Sequence, residues 1–273
     1  MVGAKYKVKE IITKKFFGLK FSLFDNKQLF SWLNFCVKND KQQIVFGYSL
    51  TILPKFKNIP QLYYLSDEFD IFLADGRGMY LLYKFFGVPL KSDLSLPLFV
   101  NKLLEEGNKN KYSILLLGAD KETNLLATKI IREKYSNLVV YDGIDGYFSQ
   151  NEEQKIVDRI NFYNPDVLLI GISSPKKEEF AIKWKNKLNS KIIVPCGGVI
   201  DILAGKKKYV PIFFKKLGVS WLYRFIQEPK RLFKPVLLNG LSILFFLIPK
   251  MIFQIIILKK EFSIPKYYIK NKR

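Results

Sequence analysis

The stretch DVLLIGISSPKKEEF (166–180) decides the fold class, because an apolar run of strand length turns abruptly into a polar, charged segment. An unbroken apolar run is typical of a strand that is buried on both faces of a parallel sheet. The Ser-Ser-Pro that follows is a turn signal, and the lysines and glutamates after it fit the exposed face of a helix. The stretch therefore predicts a strand, a loop and a helix, in that order.

The same pattern recurs along the chain. Segments with helical spacing separate most of the apolar runs, as expected for strands that alternate with helices. This alternation predicts an α/β fold, with a Rossmann-like, mostly parallel sheet and helices on both of its faces. The other runs are QQIVFGYSL (42–50), FDIFLAD (69–75), YSILLLGA (112–119), LVVYDGI (138–144) and KIIVPCG (191–197).

Composition excludes several kinds of chemistry. Hydrophobic residues make up 49% of the 273 residues, which indicates a folded core. The chain has no histidine, which excludes a Ser-His or Cys-His nucleophile pair and the commonest metal ligand. Cys36 and Cys196 lie far apart without a CxxC spacing, so we expect a reducing, cytoplasmic environment.

Positive charge is concentrated in the C-terminal quarter. Residues 206–273 hold 16 Lys or Arg against two acids, and so carry +14 of the net charge of +21. This quarter includes an apolar stretch, 235–260, that has basic residues at its end. Such a combination favours an anionic membrane surface over nucleic acid as the partner.

Three arrangements of this apolar stretch remain open. A single span would place Lys250 near the bilayer centre, at a cost of about 3 kcal/mol. We therefore expect two short helices in the membrane interface, hinged at Pro249, ahead of one straight span. A helix packed on the core or in an oligomer is the third arrangement.

Polar and glycine residues follow the apolar runs at the positions where strands end. In open α/β sheets ligands bind outside the carboxyl ends of the strands, which makes these residues candidates for a site. Single residues among them have simpler interpretations. Asp75 could be a helix N-cap, and Gly118 could be a turn at the end of a strand. Asp142 and Asp145 also form a potential metal-binding acidic pair.

The order of the motifs is more specific than any one of them. LADGRG, PDVLLIG with SPKKEEF, CGGVID and WLYRFIQEPKRL follow one another along the chain. Over residues 40–235 this succession resembles the WecG/TagA/CpsF glycosyltransferase family. The resemblance implies transfer of a sugar, typically N-acetylmannosamine, from a UDP-sugar to polyprenyl-diphosphate-linked N-acetylglucosamine. It also implies an inverting reaction without a metal or other cofactor, at the cytoplasmic face of the membrane.

The resemblance assigns roles to individual residues. Asp75 falls on the family's proposed general base. Arg224 and Arg231 fall on arginines that would neutralise a diphosphate, and Ser49 is a candidate to contact the acceptor. The donor site would include Gly76, Gly118, Tyr147, Ser173, Lys177, Glu178, Gly197, Gly198 and Asp201.

The chain also departs from the family pattern. Lys177 replaces a Gln, Tyr209 an Arg and Ser220 a Glu. An Asn after the first strand is missing, with Tyr48, Ser49 and Thr51 as candidate substitutes. These departures leave the donor sugar open and keep two alternatives: an inactive relative in a polysaccharide-assembly complex, and an unrelated nucleotide-binding module.

The expected organisation has four parts, and a homo-oligomer is left open. They are an N-terminal helical segment (1–40), an α/β glycosyltransferase core (41–205), an appendage with the C-terminal signature (206–235) and a basic, apolar membrane-associating tail (236–273).

Overall fold

A computed structural model of the protein describes residues 8–211, 213–214, 220–233 and 239–270. Its centre is one sheet of six strands, all paired in parallel, in the spatial order β4-β3-β8-β7-β5-β6. This confirms the predicted α/β class. The strands of this sheet are β3 (Gln43–Tyr48), β4 (Ile71–Ala74), β5 (Ser113–Gly118), β6 (Val139–Val140), β7 (Val167–Gly171) and β8 (Ile192–Pro195).

Helices cover both faces of the sheet. Successive residues of β5 point into different hydrophobic clusters, Leu115 into one and Leu116 into the other, because side chains alternate along a strand. The first face carries α2 (Lys55–Asn58), α3 (Pro60–Ser66), α4 (Arg77–Phe85), α7 (Glu153–Tyr163) and α8 (Lys176–Lys183). The second carries α1 (Asn26–Lys38), α5 (Leu96–Asn110), α6 (Lys121–Lys134) and α9 (Val199–Leu203).

The prediction of a helical N-terminal segment is wrong for residues 12–23. An antiparallel hairpin, β1 (Ile12–Phe16) and β2 (Leu19–Leu23), precedes α1. Phe17 and Gly18 connect its strands and both have positive φ, the backbone twist that a two-residue hairpin turn requires. Leu19 and Phe21 are fully buried against the core, so the hairpin is part of the same folded unit.

The C-terminal region returns to the core. Its helices are α10 (Ser220–Gln227), α11 (Pro229–Leu232), α12 (Asn239–Ile257) and α13 (Ile264–Lys270). Ile243, Leu247 and Met251 form the buried side of α12 and join the cluster on the first face. The α13 helix contacts α2, and the backbone N–H of Ile264 donates to Phe17 O at 2.9 Å.

The predicted hinge at Pro249 is wrong, because α12 runs through it without a break. Proline lacks a backbone N–H, which would leave a carbonyl of the preceding turn without its usual partner. Wide π-type turns on either side of Ile248–Met251 rearrange the pairing, and the N–H of Ile248 donates to Ile243 O, five residues back. Within the described residues, α12 is the one helix long and apolar enough to cross a membrane.

Packing of α12 on the core predicts a difference between two of its leucines. Leu247 is fully buried and Leu244 is 56% exposed. We expect Leu247→Ala to lower the free energy of unfolding by about 2–4 kcal/mol, because it leaves a cavity. Leu244→Ala should change it by less than about 0.5 kcal/mol. Urea unfolding of both variants measures the difference, and equal effects would show that α12 does not pack on the core.

Candidate functional site

Parallel pairing brings the predicted site residues to one edge of the sheet. Asp75 follows β4, Ser49 follows β3, Gly197 follows β8, Ser173 follows β7, and Gly118 ends β5. Four strand spacings separate the ends of β4 and β5, which is roughly 19 Å. The candidates therefore form a row along the edge, with Asp75 near one end of it.

The strand connections predict a crevice in this row between β3 and β8. The chain leaves β3 towards α2 on the first face of the sheet, and leaves β8 towards α9 on the second face. Ligands of open α/β sheets bind where neighbouring strands lead to opposite faces in this way. Ser49 and Gly197 flank the crevice.

The carboxylate of Asp75 is held by a residue that lies far from it in the sequence. Its Oδ1 atom accepts a hydrogen bond from the backbone N–H of Leu96 at 2.8 Å. Gly76, not Asp75, is the N-cap of α4, so the N-cap interpretation is wrong. A Cβ built on Gly76, whose φ is +90°, would meet nothing within 4 Å, so the backbone beside this carboxylate borders open space.

Close backbone contacts explain the glycines at the other end of the row. A Cβ on Gly118 would lie 2.4 Å from the carbonyl carbon of Gly171, so β5 and β7 can end side by side only without side chains. Buried Asn124 fixes the same region, since its Nδ2 atom donates to Gly118 O at 2.8 Å and to Ile144 O at 2.9 Å. A Cβ on Gly143 would overlap Asn124 Oδ1. Gly118 and Gly143 are thus required by packing, whatever they contact in a ligand.

Lys177 and Glu178 form a buried ion pair at the end of β7. The Nζ atom of Lys177 lies 2.5 Å from Glu178 Oε1 and donates to Pro195 O at 3.1 Å. Glu178 is fully buried and Lys177 is 14% exposed. An ammonium group has three donors, so one N–H of Lys177 remains for another partner. Ser174 Oγ and Glu178 Oε2 are also buried and have no hydrogen-bond partner among the described residues.

The loop after β8 joins the pair to the C-terminal region. Lys177 Cε would lie 3.7 Å from a Cβ on Gly197, so the two positions are neighbours. Further along, the Nζ atom of Lys207 lies 3.2 Å from Asp201 Oδ2 and 3.5 Å from Glu228 Oε1. Since Glu228 precedes α11, these ion pairs connect the donor-site candidate Asp201 to the family's C-terminal signature.

The acidic pair beyond β6 has protein partners. Asp142 Oδ1 accepts from Arg132 at 2.8 Å, and Asp145 Oδ1 accepts from the backbone N–H of Tyr147 at 3.1 Å. Tyr147 itself is 81% exposed at this end of the row. Across the part of the chain that the structure describes, no three Cys, Asp or Glu side chains are arranged to hold a metal ion.

Some predicted site residues lie away from this edge, or have side chains that the structure does not describe. Tyr48 points into the core, where its hydroxyl donates to Ser66 Oγ at 2.8 Å and burial raises its pKa, so it is not available at the edge. Ser49 Oγ and Thr51 Oγ1 lie 2.9 Å apart in the turn after β3. Arg224 and Arg231 belong to α10 and α11, but their side chains are outside the described part.

Sequence reasoning missed Lys55, at the start of α2. Its side chain is partly buried, and the burial lowers its pKa; Glu178 opposes this shift and Lys177 adds to it. Lys55 has no carboxylate within 4 Å among the residues described. A lone lysine after a Pro carries no sequence signal, and only the fold brings it close to Lys177.

The buried pair predicts a stability cycle. We expect Lys177→Met to lower the free energy of unfolding by about 3 kcal/mol, because it leaves the Glu178 carboxylate buried without its partner. The double variant Lys177→Met/Glu178→Leu should recover most of this loss, since no charge stays buried. Lys109→Met, which breaks the exposed pair with Glu106, serves as the control with unchanged stability. A Lys177→Met variant as stable as wild type in urea would contradict the buried pair.

Comparisons of the sequence with known proteins identify the family. A family model described as the glycosyl transferase WecG/TagA/CpsF family matches residues 14–255. Similar curated proteins include the N-acetylglucosaminyldiphosphoundecaprenol N-acetyl-beta-D-mannosaminyltransferases of Staphylococcus aureus strains MRSA252 and MW2, which are 29% and 28% identical over 168 residues. Each alignment covers 62% of this chain and 65% of the relative, slightly less than two thirds of its length. Because the family match covers most of the sequence, the chain belongs to the WecG/TagA/CpsF glycosyltransferase family.

Proposed function

We propose that the protein is an inverting glycosyltransferase that moves a sugar from a UDP-sugar to a polyprenyl-diphosphate-linked N-acetylglucosamine-type acceptor. Family membership supports a glycosyltransferase, and the names of the relatives support an N-acetylmannosamine donor and this acceptor. The observation that carries the proposal is Asp75, a carboxylate fixed by Leu96 at a strand end and bordered by open space.

In the proposed reaction Asp75 is the general base. It takes the proton of the acceptor hydroxyl while that oxygen forms a bond to the anomeric carbon of the donor. The bond from the anomeric carbon to the diphosphate oxygen breaks on the opposite side, which inverts the configuration. The hydrogen bond from Leu96 fixes the carboxylate, so no reorganisation is needed at the moment of reaction.

The leaving diphosphate requires positive charge, and the row supplies it from lysines. Lys177 is already paired with Glu178. We therefore propose that it donates a hydrogen bond to the diphosphate through its remaining N–H, and that it adds no uncompensated charge. Lys55 lies near this pair, has no carboxylate within 4 Å among the described residues, and adds a second cation. Arg224 and Arg231 stay candidates for the same role. Because these groups compensate the charge, we propose that no metal ion is required.

We propose that the donor uses the same contacts. Its anomeric carbon would lie near Asp75, and its nucleotide would extend along the row towards Gly118 and Tyr147. The names of the relatives support N-acetylmannosamine or a related sugar, and a lysine in place of the family's Gln would also suit an acidic sugar.

The C-terminal region would bring the lipid to the site. Seven large apolar side chains of α12 are more than 40% exposed, although its other side packs on the core. Such a patch on a helix indicates contact with a membrane. The first turn of α12 also contacts Leu50–Ile52, directly after Ser49. We therefore propose that α12 lies at the cytoplasmic face of the membrane, next to the acceptor site. The seven side chains are those of Leu241, Leu244, Phe245, Phe246, Phe253, Ile256 and Ile257.

The base assignment predicts the effect of one substitution. Asp75→Asn should reduce transfer to a lipid-linked acceptor by at least about a thousandfold, because the amide cannot accept the proton. Binding of UDP and the free energy of unfolding should stay unchanged. Asp142→Asn, at the same edge but paired with Arg132, should retain most of the activity. Turnover by Asp75→Asn close to wild type would contradict the assignment.

A panel of UDP-sugars identifies the donor. We expect the wild-type protein, with a short-chain polyprenyl-diphosphate N-acetylglucosamine, to give one product with the added mass of a single sugar. The yield should be the same with and without EDTA, because the proposed chemistry uses no metal. Loss of product in EDTA would contradict the proposal that the reaction needs no metal ion. Absence of product with every donor would favour an inactive relative.

A further inference from the structure

A second cleft lies away from the strand ends, beside the last turn of α12. Its volume is about 790 Å³. Its walls come from the hairpin turn, from α3 and from the segment that connects α12 to α13. The residues that matter here are Lys15, Tyr64, Ile255, Lys260, Glu261 and Lys266.

The walls of this cleft are joined closely. The backbone N–H of Ile264 donates to Phe17 O at 2.9 Å. A Cβ on Gly18, whose φ is +84°, would lie 2.6 Å from Ser263 Oγ and 2.8 Å from Pro265 Cδ. The hydroxyl of Tyr63 donates to Gly18 O at 3.3 Å. The hairpin turn and the C-terminal segment therefore fix each other, and the cleft is built by packing.

The charge of the cleft is positive and uncompensated. Lys15, Lys260 and Lys266 are exposed, and none has a carboxylate within 4 Å among the described residues. Among the described residues Glu261 is the one acid of the lining, so their net charge is +2. The Nζ atom of Lys15 lies 5.9 Å from the centre of the Tyr63 ring. A group that enters this cleft meets three ammonium groups beside aromatic rings, which suits a phosphate at an interface.

The apolar side of α12 begins where the cleft ends. Ile255 lines the cleft, whereas Phe253, Ile256 and Ile257 on neighbouring positions are half or more exposed. An apolar helix face beside a basic cleft complements the two layers of an anionic membrane, acyl chains and phosphates. A soluble acidic peptide would match the charge and leave the apolar face uncovered.

We propose that this cleft binds the phosphate headgroup of an anionic phospholipid while α12 contacts the acyl chains. The inference extends the proposed membrane contact to a specific site. Headgroup binding would fix the protein's orientation on the bilayer through two elements far apart in sequence, the hairpin and the C-terminal segment. It concerns structural lipid and not the acceptor, whose place is at the strand ends.

The test uses the full chain and sedimentation with vesicles of phosphatidylcholine, alone or with phosphatidylglycerol. In the cleft variant Lys15, Lys260 and Lys266 are all changed to Gln. The matched control changes Lys27, Lys38 and Lys102 to Gln, which removes the same net charge from helices on the other face of the sheet. We expect the cleft variant to bind anionic vesicles at least about tenfold more weakly, and the control less than about threefold. Changing the three cleft lysines to Arg should retain binding.

Neutral vesicles separate this site from the general membrane contact. The cleft variant should bind them as wild type does, whereas Phe245→Gln/Phe253→Gln should weaken binding to both kinds of vesicle. Equal losses in the two triple variants would show that only the overall charge matters, and would overturn the inference. Saturable binding of inorganic phosphate without vesicles, or a dimer that the cleft variant dissociates, would overturn it too. Because the readout is binding, failure of the proposed glycosyl transfer gives a separate result.

Discussion

The parallel direction of the six central strands is the constraint on which the site depends. Since every strand runs the same way, every carboxyl end lies at one edge, and residues from 49 to 198 become neighbours there. The edge can form only because Gly118 and Gly171 approach without side chains and Asn124 joins two of the carbonyls. A side chain at Gly118 would separate β5 from β7 and move the ion pair that follows β7.

The edge is divided into parts with different chemistry. Asp75 presents a fixed carboxylate at one end, whereas Lys55 and Lys177 lie nearer the middle. In the proposed reaction the base and the site for the leaving anion are thus separated, as a displacement requires. The apolar helix α12 contacts the turn after β3, so a lipid-linked acceptor would reach the side on which the base lies.

Local sequence pattern predicted the sheet and the row of strand-end residues, because apolar runs and turn residues act over a few positions. It failed where contacts between segments that are distant in sequence determine the local structure. The N-cap interpretation of Asp75 was wrong because Leu96, 21 residues later, provides the hydrogen bond. The hairpin was missed because its turn uses Phe17, a residue without turn preference. The continuous α12 was missed because wide turns restored the pairing that Pro249 removes. Lys55 had no signal of its own.

Hydrogen–deuterium exchange with and without a UDP-sugar tests most directly that the donor lies along the strand ends. We expect protection in peptides that contain Asp75–Gly76, Ser173–Lys177 and Cys196–Gly198, and no change in the hairpin at 12–23. Protection that is confined to the hairpin, or no protection at saturating donor, would contradict the proposed site.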